Sequence, residues 1–363
     1  MVSACSRNLQ WCVRPFVVER SLNRTDAAQD RLDTVRFMSE HLGVTYASLS
    51  SLGVAGAIDA ARRAGELGYD SFWVAETVGT EAFSLLSAVG AAAPGMALAT
   101  GVIPLQVRTP ALAAMAAATL QALHPDRDVI LGVGVSSPVV VGQWHGADYD
   151  EHPIAQMREY LTLVRQCLSG ESVTFDGDHY HLRKFRLGVR LGERRPQLLV
   201  GALGEQMLRL AGELADGVLL NYLPASHVPW SVARVREGGP AAIYAYVHAG
   251  VVDRADGIDA ARRDLFSYAV VDGYARSFTL AGFGAEVEEL RARHAAGDRD
   301  GAIAAVSDAM VDAIDFMGDA GEVHRFVGAY RDAGVETPVL MPLPWGADRR
   351  AVVDATLRAA AGR

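Results

Sequence analysis

The stretch PQLLVGALGEQMLRLAGELADGVLLN, residues 196–221, decides how the rest of this chain is read. Leu198 to Val200 form a short apolar run of the kind buried on both faces of a parallel strand. Gly201-Ala202-Leu203-Gly204 follows as a small, permissive turn. From Glu205 to Leu214, the apolar residues Met207, Leu208, Leu210, Ala211 and Leu214 recur three and four apart and mark one helical face. Asp216-Gly217 ends that helix, and Val218-Leu219-Leu220 opens another strand. The turn leaves free backbone N–H groups at a helix N-terminus, where an anion can sit. An ordinary βα corner is built the same way, so this stretch alone leaves the two open.

The surrounding chain sets the context. It has 363 residues, 50% hydrophobic and 21% charged, enough for one large α/β domain or two smaller ones. A net charge of -9 gives no electrostatic support for a nucleic-acid partner. The three cysteines, Cys5, Cys12 and Cys167, contain no CxxC pair, which argues against a zinc site or a disulfide framework and fits a reducing cytoplasm. No apolar run reaches the ~18 residues of a membrane span, so no membrane role is expected. Residues 1–40 carry scattered arginines and little apolar periodicity. They read as a poorly ordered extension without a secretory signal, with Met38 as an alternative start.

From residue 42 onward strands and helices alternate. LGVTYAS (42–48) reads as strand one. Ser50 or Ser51 is expected to cap a helix with Val54, Ile58, Ala61, Ala64 and Leu67 inward and Gly68 as its stop. DSFWVAE (70–76), MALATGVI (96–103) and DVILGVG (128–134) read as strands two to four. Helices lie at 81–93, at 110–123 behind Pro110, and at 153–168 behind Pro153. SVTFDGDHYHL (172–182) alternates around Asp176-Gly177 and reads as a hairpin insertion near 171–186. The opening stretch supplies strands five and six. A helix at 226–237, AAIYAYVHAGV (241–251) and TPVLMPL (337–343) complete the series, with a closing helix at 347–361. Residues 255–333 read as mostly helical, broken at Gly273, Gly282, Gly297 and Gly318. Eight such units in one chain favour an α/β fold of the (β/α)₈ TIM-barrel type with insertions, spanning 41–363. The alternative is an open doubly wound sheet, but Gly132-Val-Gly-Val-Ser-Ser137 lacks the third glycine of a dinucleotide fingerprint.

In a barrel the chemistry lies at the C-terminal strand ends. Here these are Tyr46 to Ser48, Glu76-Thr77, Thr100 to Ile103, Gly134 to Ser137, Gly201 to Gly204, Asn221-Tyr222, His248 and Met341. Glycines and small hydroxyl residues dominate, and no His, Asp and Glu cluster has ligand spacing, so no metal is expected. The profile suits a flat cofactor that brings its own chemistry. Ser136 reads equally as a hydrogen-bonding group for cofactor or substrate and as a loop cap. His248 reads either as a substrate-facing group or as a satisfied barrel histidine. His145 and His152 lie in the loop after strand four and read as solvated. His179 and His181 belong to the hairpin, Trp73 to the core, and Trp144 to the mouth or its loop.

The run GALGEQMLRLAGELADGVLLN is similar to the signature of the bacterial luciferase-like superfamily. It resembles most the branch of coenzyme F420-dependent oxidoreductases and methylenetetrahydromethanopterin reductase. ARRAGELGYDSFWVAE (61–76), LATGVIPLQVRTPALAA (98–114), DVILGVG (128–134), residues 145–180 and PVLMPL (338–343) agree in order. The resemblance implies a barrel that binds a flavin or 5-deazaflavin and forms a homodimer. It places the cofactor phosphate on Gly201, Ala202, Leu203 and Gly204. It implies a bulge at the end of strand three, with Thr100, Gly101 and Val102 under the ring system and a non-prolyl cis bond at Gly101–Val102. Gly134 and Ser136 complete the expected cofactor set. Relatives often place an acid and a histidine after strand two; this chain has Glu76 and Thr77, which removes that histidine. Sugar-phosphate dehydrogenase relatives carry an acid after the strand-four glycines, where this chain has Ser136-Ser137. The expected catalytic group is therefore Glu76, Ser136 and His248.

The function expected from this resemblance is F420-dependent hydride transfer to or from a small organic substrate. The alternatives are an FMN-dependent monooxygenase on the same scaffold and, from another class, a non-catalytic barrel that serves as a partner subunit. The intact strand-five turn speaks against the last.

Overall fold

The computed structural model describes residues 41–363. The expected extension at 1–40, and with it Met38, lies outside the described residues. Short runs with every side chain buried, such as Ser-Phe-Trp-Val and Val-Ile-Leu-Gly-Val-Gly, become strands because only a site covered on both faces accommodates them. Among the described residues the barrel has eight strands: β1 (Gly43–Thr45), β2 (Ser71–Val74), β3 (Ala97–Thr100), β4 (Val129–Gly134), β5 (Gln197–Gly201), β6 (Gly217–Leu220), β7 (Ala242–Val251) and β8 (Thr337–Pro342). Each pairs in parallel with the next. β8 returns to β1 through Gly43 opposite Val339 and Val44 opposite Leu340, which closes the ring. This is the TIM barrel the alternation implied, not an open sheet.

Helices α1 (Gly53–Glu66), α2 (Ala82–Ala92), α3 (Pro110–Leu123), α4 (Pro153–Leu168), α5 (Glu205–Leu214) and α6 (Val228–Gly238) follow β1 to β6 in turn. Local chemistry fixes several starts. Glu81 caps α2, and Thr109 caps α3, whose first residue is Pro110. The first helix departs from expectation. Ala47–Leu52 forms a 3₁₀ turn in which Ser50 and Ser51 donate back to the carbonyls of Ala47 and Ser48, so neither caps α1. Ala57, Ala60, Ala61, Ala64 and Leu67 are buried and Ile58 packs on the core, as expected of the inward face, while Val54 is exposed.

Between β4 and β5, Val173–Asp176 and His181–Phe185 form the antiparallel hairpin. Its turn sits on α4: the Glu159 carboxylate accepts from the N–H groups of Asp178, His179 and Tyr180 at 2.8 to 3.1 Å.

After β7 the chain builds α7 (Arg254–Ala269), α8 (Asp272–Phe278), α9 (Gly284–Ala295), α10 (Arg299–Ala304) and α11 (Asp308–Ile314). These helices share their own apolar core, which includes Leu265, Phe278, Leu290, Val306 and Met310. Gly282 and Gly297 break the helices with φ of +105° and +81°. Gly273 lies inside α8, and Gly318 ends a short strand, Asp315–Gly318, that the helical reading missed. This accessory strand pairs in parallel with the second half of β7, beyond the stretch where β7 pairs with β6. The chain then returns through α12 (Ala320–Asp332) to β8 and closes with α13 (Arg349–Ala360). No helix among the described residues is long and apolar enough to cross a membrane.

Candidate active site

The barrel interior holds Trp73, Ala99, Ile130, Leu199, Leu219, Tyr246, Val339 and Met341. At its C-terminal end, β3 leaves its partner. Ala99 is opposite Ile130, but Ile103 is opposite Val133, so three residues of β3 face two of β4. Thr100, Gly101 and Val102 make this bulge. The Gly101–Val102 peptide bond is cis, as the resemblance implied.

The bulge is held on every side. The Gly101 N–H donates to the Val74 carbonyl at 2.8 Å, and the Val102 carbonyl accepts from the Glu76 N–H at 3.1 Å. From across the barrel the Tyr246 hydroxyl donates to the Gly101 carbonyl at 2.5 Å, while Thr45 Oγ1 donates to that hydroxyl at 3.3 Å. A Cβ on Gly101 would lie 2.1 Å from the Tyr246 hydroxyl, so this contact requires glycine. Thr100 is committed elsewhere: its Oγ1 donates to the Gly132 carbonyl and accepts from the Gly132 N–H, both at 2.8 Å. It bridges β3 to β4 where the ladder is interrupted, so its hydroxyl is already satisfied within the barrel wall.

Val102, Gly134 and Gly201 are brought together. A Cβ on Gly134 would meet the Val102 side chain at 2.7 Å, and one on Gly201 at 3.3 Å. Beyond Gly201, Ala202 is buried, Leu203 half-buried and Gly204 exposed. Gly204 is the N-cap of α5 and supplies no side-chain acceptor, and a Cβ there would meet nothing within 4 Å. The first turn of α5 therefore has no side-chain cap. Ser136 stands exposed at the end of β4 with φ of +54°, a left-handed conformation rare for a residue with a side chain. Its neighbour Ser137 accepts from the Val140 N–H and takes the loop-capping role. His145 reaches the Thr77 carbonyl at 2.5 Å and ties the β4 loop to the β2 loop, while His152 is exposed.

The two acid–base residues expected here do not offer free atoms. Glu76 is buried and receives Arg108 on both oxygens, at 2.7 and 3.1 Å, and the Ala82 N–H at 3.0 Å. Arg108 also pairs with Glu81 and lies over the Phe83 ring. Glu76 thus anchors the start of α2, a positioning task that its sequence position did not reveal. His248 is 1% exposed, with Nδ1 at 3.0 Å from Asp315 and Nε2 at 3.1 Å from Asn221 Oδ1. Asn221 donates in turn to the Tyr274 hydroxyl, and the Tyr222 hydroxyl donates to Asp264 at 2.7 Å. Burial pushes the His248 imidazole down to about 4 and holds it neutral, and burial raises Asp315 and Asp264 well above the carboxylate range.

Tyr246, Arg108, Asp264 and Asp315 were not singled out from sequence. Tyr244, Tyr246 and His248 alternate along β7, and that period of two carried the signal for Tyr246. Asp264 and Asp315 stand in no motif.

The architecture is thus a mouth with a held bulge, a glycine-lined patch and a bare helix N-terminus. The chain matches the luciferase-like monooxygenase family over residues 37–337. A Mycobacterium tuberculosis protein named as a coenzyme F420-dependent oxidoreductase is 31% identical, covering 76% of this chain and 87% of its own length. The 5,10-methylenetetrahydromethanopterin reductase of Archaeoglobus fulgidus is 27% identical over 78% of this chain and 88% of its own. In fold, an F420-dependent secondary alcohol dehydrogenase solved with an F420–acetone adduct superposes with a TM-score of 0.71 at 19% identity, covering 89% of this chain and all of that one. The chain belongs to the luciferase-like monooxygenase family and is an oxidoreductase.

Proposed function

We propose that this oxidoreductase uses coenzyme F420 to transfer hydride to or from a small organic substrate. The observation that carries this reading is the pairing of the Thr100–Val102 bulge, with Gly134 and Gly201 beside it, and the uncapped start of α5 at Gly204. A planar ring needs a flat support, and a phosphate needs N–H donors with room above them. The residues present fit both demands. Val102 would support the ring, and the Gly201–Gly204 turn would hold the phosphate. When bound, a deazaflavin supplies the hydride chemistry. The chain's own part is to fix the support: Tyr246, Val74 and Glu76 hold the bulge, and Arg108 holds Glu76. Ser136 is exposed at the strand-four end and would meet cofactor or substrate there. The name of the Mycobacterium tuberculosis relative supports F420 over FMN. We further propose a homodimer of this chain in the cytoplasm, which light scattering and fractionation test.

The test is titration of the purified protein with F420 and with FMN, followed by fluorescence. F420 should bind and FMN should not; tight uptake of FMN with none of F420 overturns the reading. Gly204→Asp places a carboxylate on the phosphate seat and at the helix cap together. It should raise the melting temperature slightly, because aspartate caps well, while F420 affinity falls at least ~10-fold. Unchanged affinity removes the turn from the site.

A further inference from the structure

His248 of β7, Asp264 of α7 and Asp315 of the accessory strand meet where the insertion joins the barrel. One ligand-type atom from each lies within 4.8 Å of the others. His248 and Asp315 are directly opposite in register and essentially without exposure, at 1% and 0%. The hydrogen bonds fix which atoms are available. Asn221 Oδ1 is an acceptor, so His248 Nε2 donates to it and Nδ1 carries the lone pair. Asp315 Oδ1 lies 3.0 Å from that nitrogen, so a proton or a cation must lie between the two atoms. The second Asp315 oxygen, Oδ2, is buried with no donor group on it, and the Asp315 and Asp264 carboxyls lie within hydrogen-bonding reach of each other. The Tyr222 hydroxyl occupies Asp264 Oδ2. Neither carboxyl has an ion pair with a lysine or arginine among the described residues. Two carboxyls and an imidazole nitrogen, largely withdrawn from water and converging without a cation, must share either protons or a positive ion.

We propose that His248, Asp264 and Asp315 bind a divalent transition-metal ion of the zinc class. One imidazole nitrogen with carboxylate oxygens suits zinc or manganese, whereas calcium and magnesium prefer oxygen alone. Asn221 on the free ring nitrogen and Tyr222 on Asp264 supply the outer contacts that orient such ligands. The ion would tie three elements together, β7, α7 and the accessory strand, and so fasten the insertion to the barrel. The proposal does not depend on F420.

The test uses the full chain without cofactor. The protein is stripped by chelator dialysis and titrated with zinc chloride and with manganese chloride, with bound metal measured by mass spectrometry and stability by thermal melting. One equivalent of zinc or manganese should bind and raise the melting temperature. Asp315→Asn and Asp264→Asn should each weaken binding more than ~100-fold, beyond what loss of an outer contact produces, and abolish the thermal response. The half-buried Asp264 provides a variant that folds should Asp315→Asn not. Failure of both metals to bind the stripped protein or to move its melting temperature overturns the proposal and leaves protons between the carboxyls. Undiminished binding in both variants also overturns it.

Discussion

Tyr246 reaches across the barrel to hold a carbonyl on the far strand, and its removal isolates that one bond. Tyr246→Phe should cost about 1 kcal/mol of stability in urea unfolding and weaken F420 binding. Gly101→Ala should cost more, about 1–3 kcal/mol, because its methyl group runs into the hydroxyl and into Trp73. The double variant should recover part of that loss, since the closest clash is with the atom that phenylalanine lacks. No recovery in the double variant would mean that the bulge is held by something other than Tyr246. The Glu76 carboxylate poses a different question. Glu76→Gln leaves Arg108 with Glu81 alone, and a half-buried pair broken in this way should cost about 2 kcal/mol. Turnover that survives in the folded variant establishes the positioning role; turnover lost at unchanged stability restores the catalytic one. The glycines at 101, 134 and 201 were legible as a pattern. The bond from Tyr246 to Gly101 was not, because 145 positions separate the two and neither neighbourhood hints at the other.

At the scale of elements, the hairpin shows how a loop is docked by one charge. Burial works against the Glu159 carboxylate, three backbone N–H donors outweigh it, and the group titrates below its ordinary range. A carboxyl lowered in the folded state contributes stability above its unfolded value, near 4.5, and loses it as pH falls through the folded value. Hydrogen exchange at 177–181 should therefore be slower in the wild type than in Glu159→Gln at pH 6, and the difference should close toward pH 3. A gap that persists unchanged at pH 3 sinks this account. Where an element's ends are set by its own residues, sequence located them well: Pro110 and Pro153 open α3 and α4 as expected. In α1 the periodic pattern found the inward face at Ile58, Ala61, Ala64 and Leu67 and missed only at Val54, beside the Ala47–Leu52 turn. Asp315–Gly318 was illegible. Four residues after a helix carry too short a period, and only pairing with β7 makes them a strand.

The molecule as a whole has a closed barrel with a ring of helices and a helical insertion with a core of its own. The eightfold alternation made the barrel legible, since each βαβ unit is local. The insertion's packing was not, because nothing repeats in it. Cys167 reports on the barrel directly. It is fully buried in the outer core, and burial raises its thiol to about 11, so it is held as an unreactive thiol. Alkylation of Cys167, read by peptide mapping, should be negligible in the native protein at pH 8 and should appear only as the barrel unfolds in denaturant. Rapid labelling under native conditions would show that the barrel opens locally around α4.

The barrel closes through β8 and β1 without the accessory strand, which rests on a half of β7 that β6 leaves free. The insertion is nevertheless tied to the barrel mouth, since Asp264, Tyr274 and Asp315 hold Tyr222, Asn221 and His248, so shortening it should uncover the ends of β6 and β7 before it disturbs the ring.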